Sequence, residues 1–220
     1  IKGCEGLEFS KNIKRELNKS DEYKKLLVFF EKIVSALCYI YNEKRKDTEV
    51  FNEELCRYLY YWLGDKINSL KYDKRIFKQI IRMIYGELNN NTEMIVVCSY
   101  HDYNIYDLDK YETHKLLFNY SKDFQNIEND TRDNQRPCDE YYYKFIEKYI
   151  SIYKQAHSEC KNKTKHQFFC NYFSRLFQEN EYNKLSSFTC IQRDNIEPVL
   201  EKRKEHEHEG HARNQPYGHA

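Results

Sequence analysis

Apolar side chains recur at intervals of three and four along most of the chain, the spacing that gathers them on one face of an α-helix. Phe9, Ile13 and Leu17 open the pattern. Ser20 or Asp21 can then cap a new helix, whose face Leu26, Phe30, Ile33, Leu37 and Tyr41 continues until the charged run 42–49 interrupts it. The stretch LCRYLYYWLGDKI, residues 55–67, predicts the next helix. Leu55, Leu59, Trp62, Leu63, Ile67 and Leu70 form its apolar stripe beside Cys56, and Leu59, Trp62 and Leu63 form the centre of that core motif. Tyr58, Tyr60 and Tyr61 fall partly off the stripe, where an aromatic ring can sit at a boundary with its hydroxyl in water. The two helices are expected to pair as an antiparallel hairpin turning near Asp47.

A third helix is expected from about Asp73, with Phe77, Ile80, Ile81, Ile84 and Leu88 on its face, ending in the polar run 87–93. Met94 to Cys98 reads as either a short strand or a buried helical turn, because a short apolar run fits both. Asp107 or Asp109 can cap a further helix carrying Leu108, Leu116, Leu117 and Tyr120. The polar stretch NIENDTRDNQRPC, residues 126–138, is the best internal loop candidate. Pro137 suits the first turn of a long helix with Tyr142, Phe145, Ile146, Tyr149, Ile152, Tyr153 and Ala156 on one face. A last helix over about 165–179 carries Phe168, Phe169, Phe173, Leu176 and Phe177.

With only 6 glycines and 3 prolines in 220 residues, the turns that sheets and hairpins require are scarce. The fold class is therefore mainly α: a multi-helix domain with long loops and little or no strand. Residues 1–195 read as a single helical domain, or as two helical subdomains divided near residue 92. Residues 196–220 read as a polar linker or tail, since from residue 201 onward the chain has almost no apolar content.

Charge and motif content narrow the function. A net charge of +1 lacks the basic excess that nucleic-acid binding rests on. The longest apolar runs, 33–41 and 94–98, fall well short of the roughly 18 residues of a membrane span. Glycine-rich phosphate loops, nucleophile elbows and zinc-protease motifs are absent. Cys98 with His101 lacks the further ligands of a metal site. His157, Cys160 and His166 are neighbours in sequence without an acidic orienter, and His206, His208 and His211 belong to the polar tail. No catalytic, cofactor-binding or metal residue is assigned, and no small-molecule substrate is expected.

The cysteines carry more information. Cys4, Cys38, Cys56, Cys98, Cys138, Cys160, Cys170 and Cys190 are even in number and spread at long intervals, without the close pairs of zinc ribbons or thioredoxin-type motifs. They read as structural disulfides formed in an oxidising compartment. The expected helical hairpin favours Cys38–Cys56, with Cys4 competing for Cys56. The chain opens on Ile1 without a hydrophobic leader, which fits an excised ectodomain or mature fragment. Glycosylation triplets begin at Asn18, Asn90, Asn119, Asn129 and Asn162.

LCRYLYYWLGDKI is followed by the tyrosine-rich CSYHDYNIYDLDKYETHKLLFNYSKDFQNI, then CDEYYYKFIEKYISIYKQAHSEC, FFCNYFSRLF and LSSFTC. In this order the segments resemble the Plasmodium interspersed repeat (PIR) proteins, the family that includes the vivax VIR and knowlesi KIR proteins. The resemblance runs from Cys4 to Cys190. Its most specific parts are Cys56, Leu59, Trp62 and Leu63, and the unit from Cys138 to Cys160. It implies a helical variant surface antigen without catalysis, displayed on the extracellular face of the infected red-cell or parasite membrane and taking part in antigenic variation and immune evasion. The implied partners are a host cell-surface receptor or antibodies, and contact with the membrane is implied only through a segment absent from this chain. The resemblance names no receptor-binding residue. An interaction scaffold inside the parasite or its vacuole, or a secreted helical enzyme, are the alternative readings. Recognition is expected in the connections 42–49, 87–93 and above all 126–136, since loops change at little cost to a core.

Overall fold

Phe9, Ile13 and Leu17, one helical turn apart, are all buried along one side of helix α1 (Phe9–Leu17). The computed structural model describes residues 8–46, 51–99, 108–132, 137–161 and 167–192. Ser20 Oγ accepts the Tyr23 amide at 3.2 Å and starts α2 (Asp21–Lys24), which tightens into a 3₁₀ turn over Lys25–Phe29. α3 (Phe30–Lys46) follows at once and buries Ile33, Val34, Leu37, Ile40 and Tyr41. Its polar end remains helical through Lys46, so the charged run does not break the helix at residue 42. The expected turn near Asp47 lies outside the described residues. Lys44 Nζ, 3.2 Å from Glu53 Oε1, joins the end of α3 to the start of α4 (Glu54–Ser69).

Asp73 Oδ1 accepts the Ile76 amide at 2.8 Å and caps α5 (Lys74–Asn89), which buries Phe77, Ile80, Ile81, Ile84 and Leu88 as its spacing predicts. α5 packs against α1 and α4. Residues 94–98 are neither strand nor helical turn. Side-chain amides stand in for the missing partner strand: Asn89 Oδ1 takes the Val97 and Cys98 amides at 2.9 and 3.1 Å while its Nδ2 donates to the Cys98 carbonyl at 2.8 Å. Asn91 pairs with both backbone groups of Ile95 in the same way. Backbone polar groups near a core must find partners, and here two asparagines supply them.

Contacts divide the chain between Lys115 and Leu116, within α6 (Tyr111–Thr131), and not near residue 92. The segment around residue 92 belongs to the first unit because Cys56–Cys98 ties it to α4, with Cα atoms 5.6 Å apart. In the second unit, Leu117, Tyr120, Ile127, Ile146, Tyr149, Tyr153, Ala156, Phe169, Phe173, Phe177 and Leu185 form one buried cluster. They come from α6, α7 (Glu140–Lys161), α8 (Gln167–Leu176) and the short α9 (Tyr182–Leu185), with Phe177 just past the end of α8.

Two local expectations fail in this unit. The expected loop over 126–138 is helical through Thr131, because Ile127 extends the apolar face of α6 and Thr131 Oγ1 returns a bond to the Ile127 carbonyl at 2.7 Å. Pro137 does not sit in a first helical turn; it belongs to β1 (Pro137–Cys138), which pairs in parallel with β2 (Ile191–Gln192). α7 is capped instead by Asp139, whose Oδ1 accepts the Tyr142 amide at 2.7 Å. Phe168 is exposed, since it begins α8 on the side away from Phe169 and Phe173.

Among the described residues the architecture is mainly helical, with this two-residue pairing as its strand content and with disulfides Cys56–Cys98, Cys138–Cys190 and Cys160–Cys170. The preferred pairing Cys38–Cys56 is not formed. Cys56 bonds Cys98 instead, and the Tyr85 hydroxyl of α5 donates to the Cys56 carbonyl at 2.9 Å. Cys38 is disulfide-bonded to a partner outside the described residues, where Cys4 also lies.

Candidate functional site

The core motif builds an aromatic cage. Leu59 and Leu63 are buried as the stripe predicts, whereas Trp62 is only half-buried. Tyr60 and Tyr61, expected at a water boundary, are buried instead at 3% and 6% exposure. The reason is Tyr111, the first residue of α6. Its ring lies 5.8 Å from both Tyr60 and Tyr61 and 5.5 Å from Phe77. Its hydroxyl donates to the Tyr61 carbonyl at 2.8 Å. Burial, reinforced by the nearby Asp65 carboxylate, pushes this phenol far above its ordinary pKa. Asp65 in turn pairs with Lys115 at 2.6 Å. The alternation of the α4 sequence conceals this second buried face, and the sign that could have revealed it is Gly64.

A Cβ added at Gly64 would lie 2.7 and 2.8 Å from Cζ and Cε2 of Tyr111, inside contact distance. Gly64→Ala is therefore expected to lose about 1–3 kcal/mol to overpacking, reduced by up to about 1 kcal/mol through alanine's better helix propensity. Chemical denaturation of Gly64→Ala, Tyr111→Phe and the double variant checks this. The two losses should sum to more than the double variant shows, because removing the hydroxyl relieves part of the crowding. Simple additivity would mean that the ring moves aside freely.

A cleft of about 680 Å³ lies in the second unit, beside the half-buried Cys160–Cys170 disulfide and lined in part by His157, Ser174 and Glu179. The combination invites a catalytic reading, but the imidazole is engaged in packing. His157 stacks on Tyr182 with ring centres 4.1 Å apart and touches Tyr153 and Phe173. Burial and then Lys161 hold its pKa below the ordinary histidine range. Tyr153, beneath it, is pushed up to about 12 chiefly by burial. Cys160 is a disulfide partner and so offers no thiolate nucleophile. His101, His166, His206, His208 and His211 lie outside the described residues. Among the described residues no group of three His, Cys, Asp or Glu side chains could hold a metal ion, and no helix is long and apolar enough to cross a membrane.

These features define a class: a cystine-stapled helical protein whose aromatic and apolar side chains are committed largely to packing. The chain matches the family model described as Plasmodium vivax Vir protein over residues 2–219, and it belongs to that family of variant surface antigens. No curated protein and no solved structure matches it.

Proposed function

We propose that the protein is displayed on the outside of the infected red cell or parasite and binds a host cell-surface receptor there, without catalysis. The family match across 2–219 carries this reading. The cystine framework supports it, since such bonds persist in oxidising surroundings. Covalent staples and buried aromatic clusters also let exposed residues vary at little cost to the fold. The connections expected to mediate recognition are shorter than the sequence suggests: residues 42–46, 87–89 and 126–131 are helical. In this reading helix surfaces are available for recognition as well as loops.

The test is a binding screen of the oxidised protein against purified ectodomains from host blood and endothelial cells. Saturable capture of at least one receptor, lost on thermal unfolding, is the expected result. A correctly oxidised, folded protein that captures none of them would overturn the receptor reading.

A further inference from the structure

Three lysines of the first unit share an unusual arrangement. Lys14 Nζ lies 5.6 Å from the ring centre of Phe30, and Lys25 Nζ lies 5.9 Å from that of Tyr72. Lys66 Nζ spans Phe29 and Trp62, at 5.5 and 6.0 Å. The rings are each half-buried. The 3₁₀ segment connects them: Lys25 and Phe29 are its first and last residues, Phe30 follows at once, and α1, α3 and α4 all pack against it.

Several lysines of this unit have carboxylate partners, among them Lys19 with Glu16, Lys24 with Asp21, Lys115 with Asp65, and Lys44, which also lies over the Phe51 ring, with Glu53. Lys14, Lys25 and Lys66 form no ion pair with any described residue, and Glu22, three residues before Lys25, pairs with none of them. In a chain whose charges nearly cancel, three ammonium groups held over aromatic rings around one short segment without an ion-pair partner are a local exception. Cation–π contact fixes each charge without neutralising it.

We propose that this edge, centred on Trp62 and Lys66, docks an acidic protein segment that carries aromatic side chains. Its carboxylates would meet Lys14, Lys25 and Lys66, and its apolar groups would cover the exposed parts of Trp62 and Phe29, the residue types on which binding energy concentrates. A sulfated glycan fits less well, because the ring faces on which a sugar would stack are occupied by ammonium groups. The surface supplies a partner chemistry for the receptor-binding reading and rests on it.

The probe is an immobilised glutamate–tyrosine copolymer, with heparin as the rival polyanion, measured by interferometry at low and high salt. The protein is expected to bind the copolymer and to weaken as salt rises. K14E/K25E/K66E should reduce binding by about tenfold or more, while K144E/K148E/K154E on α7, with the same change of net charge, should not. Circular dichroism confirms that both variants are folded. Failure to bind the copolymer, equal losses in the two triple variants, or tighter binding to heparin would each overturn the proposal. Copolymer binding alongside an empty receptor screen would leave this surface standing and remove the receptor reading. Receptor capture that ignores K14E/K25E/K66E would do the reverse.

Discussion

Tyr120→Ala is expected to lower the stability of the folded protein by about 3–5 kcal/mol, the cost of emptying a large, fully enclosed aromatic site. Tyr120 is 0% exposed and lies at the centre of the second unit's core. Its ring stacks on Tyr149 at 5.0 Å and meets Tyr153 and Phe177 edge-on or tilted, both at 5.8 Å. Its hydroxyl donates to the Leu185 carbonyl, so one side chain of α6 touches α7, the residue that follows α8, and α9. Few rearrangements could refill a space bounded by four helical segments. Tyr120→Phe isolates the hydroxyl, whose loss strands a buried carbonyl and is expected to cost about 1–3 kcal/mol. Urea unfolding of the oxidised variants measures both. A loss below that of Tyr120→Phe in the alanine variant would show that the cluster collapses to fill the gap, contrary to tight packing.

The helical class was legible because it depends only on spacing. Ile76 to Leu88 and Phe9 to Leu17 bury the side chains that periodicity selects. What sequence could not supply was the surroundings of each face. Tyr60 and Tyr61 look like boundary residues until Tyr111 arrives from fifty positions away to cover them. Ile127 stands alone in a polar run, yet it falls one helical repeat after Tyr120 and so keeps α6 intact through Thr131. Disulfide partners depend on the same non-local information: Cys38 and Cys56 lie on adjoining helices, but adjacency of helices does not aim two particular Cβ atoms at each other.

The candidate surface was the least legible part. Periodicity identifies residues that face inward, whereas Lys14, Lys25 and Lys66 stand out only by combining, in space, an aromatic ring beneath the ammonium group with the lack of a carboxylate partner. Trp62 shows the limit well. The stripe places it in the core, but at its position on α4 it stays half-buried beneath Lys66, and its role shifts from filling a cavity toward forming an edge.

Replacing both Cys56 and Cys98 by alanine should destabilise the protein by about 4 kcal/mol, the chain-entropy value for a loop of this length. The bridge closes a separation of 42 residues, and both half-cystines are 0% exposed. Cys160–Cys170 closes only 10 residues, so its removal should cost less, about 3 kcal/mol. The Asn89 amide gives the longer bridge a further signature. It grips Val97 and Cys98 by three hydrogen bonds, and so holds the same segment that the cystine holds. Either latch alone keeps the segment in place, while loss of both releases it. Asn89→Ala should therefore be mild with the bridge intact and more damaging without it, a non-additivity expected of groups that share a task. Urea unfolding of the single, double and triple variants gives the free energies, and hydrogen exchange at Val97 reports the segment itself. Additive losses, or a bridge worth less than about 1 kcal/mol against the chain-entropy expectation, would mean that residues 94–98 are held independently of both.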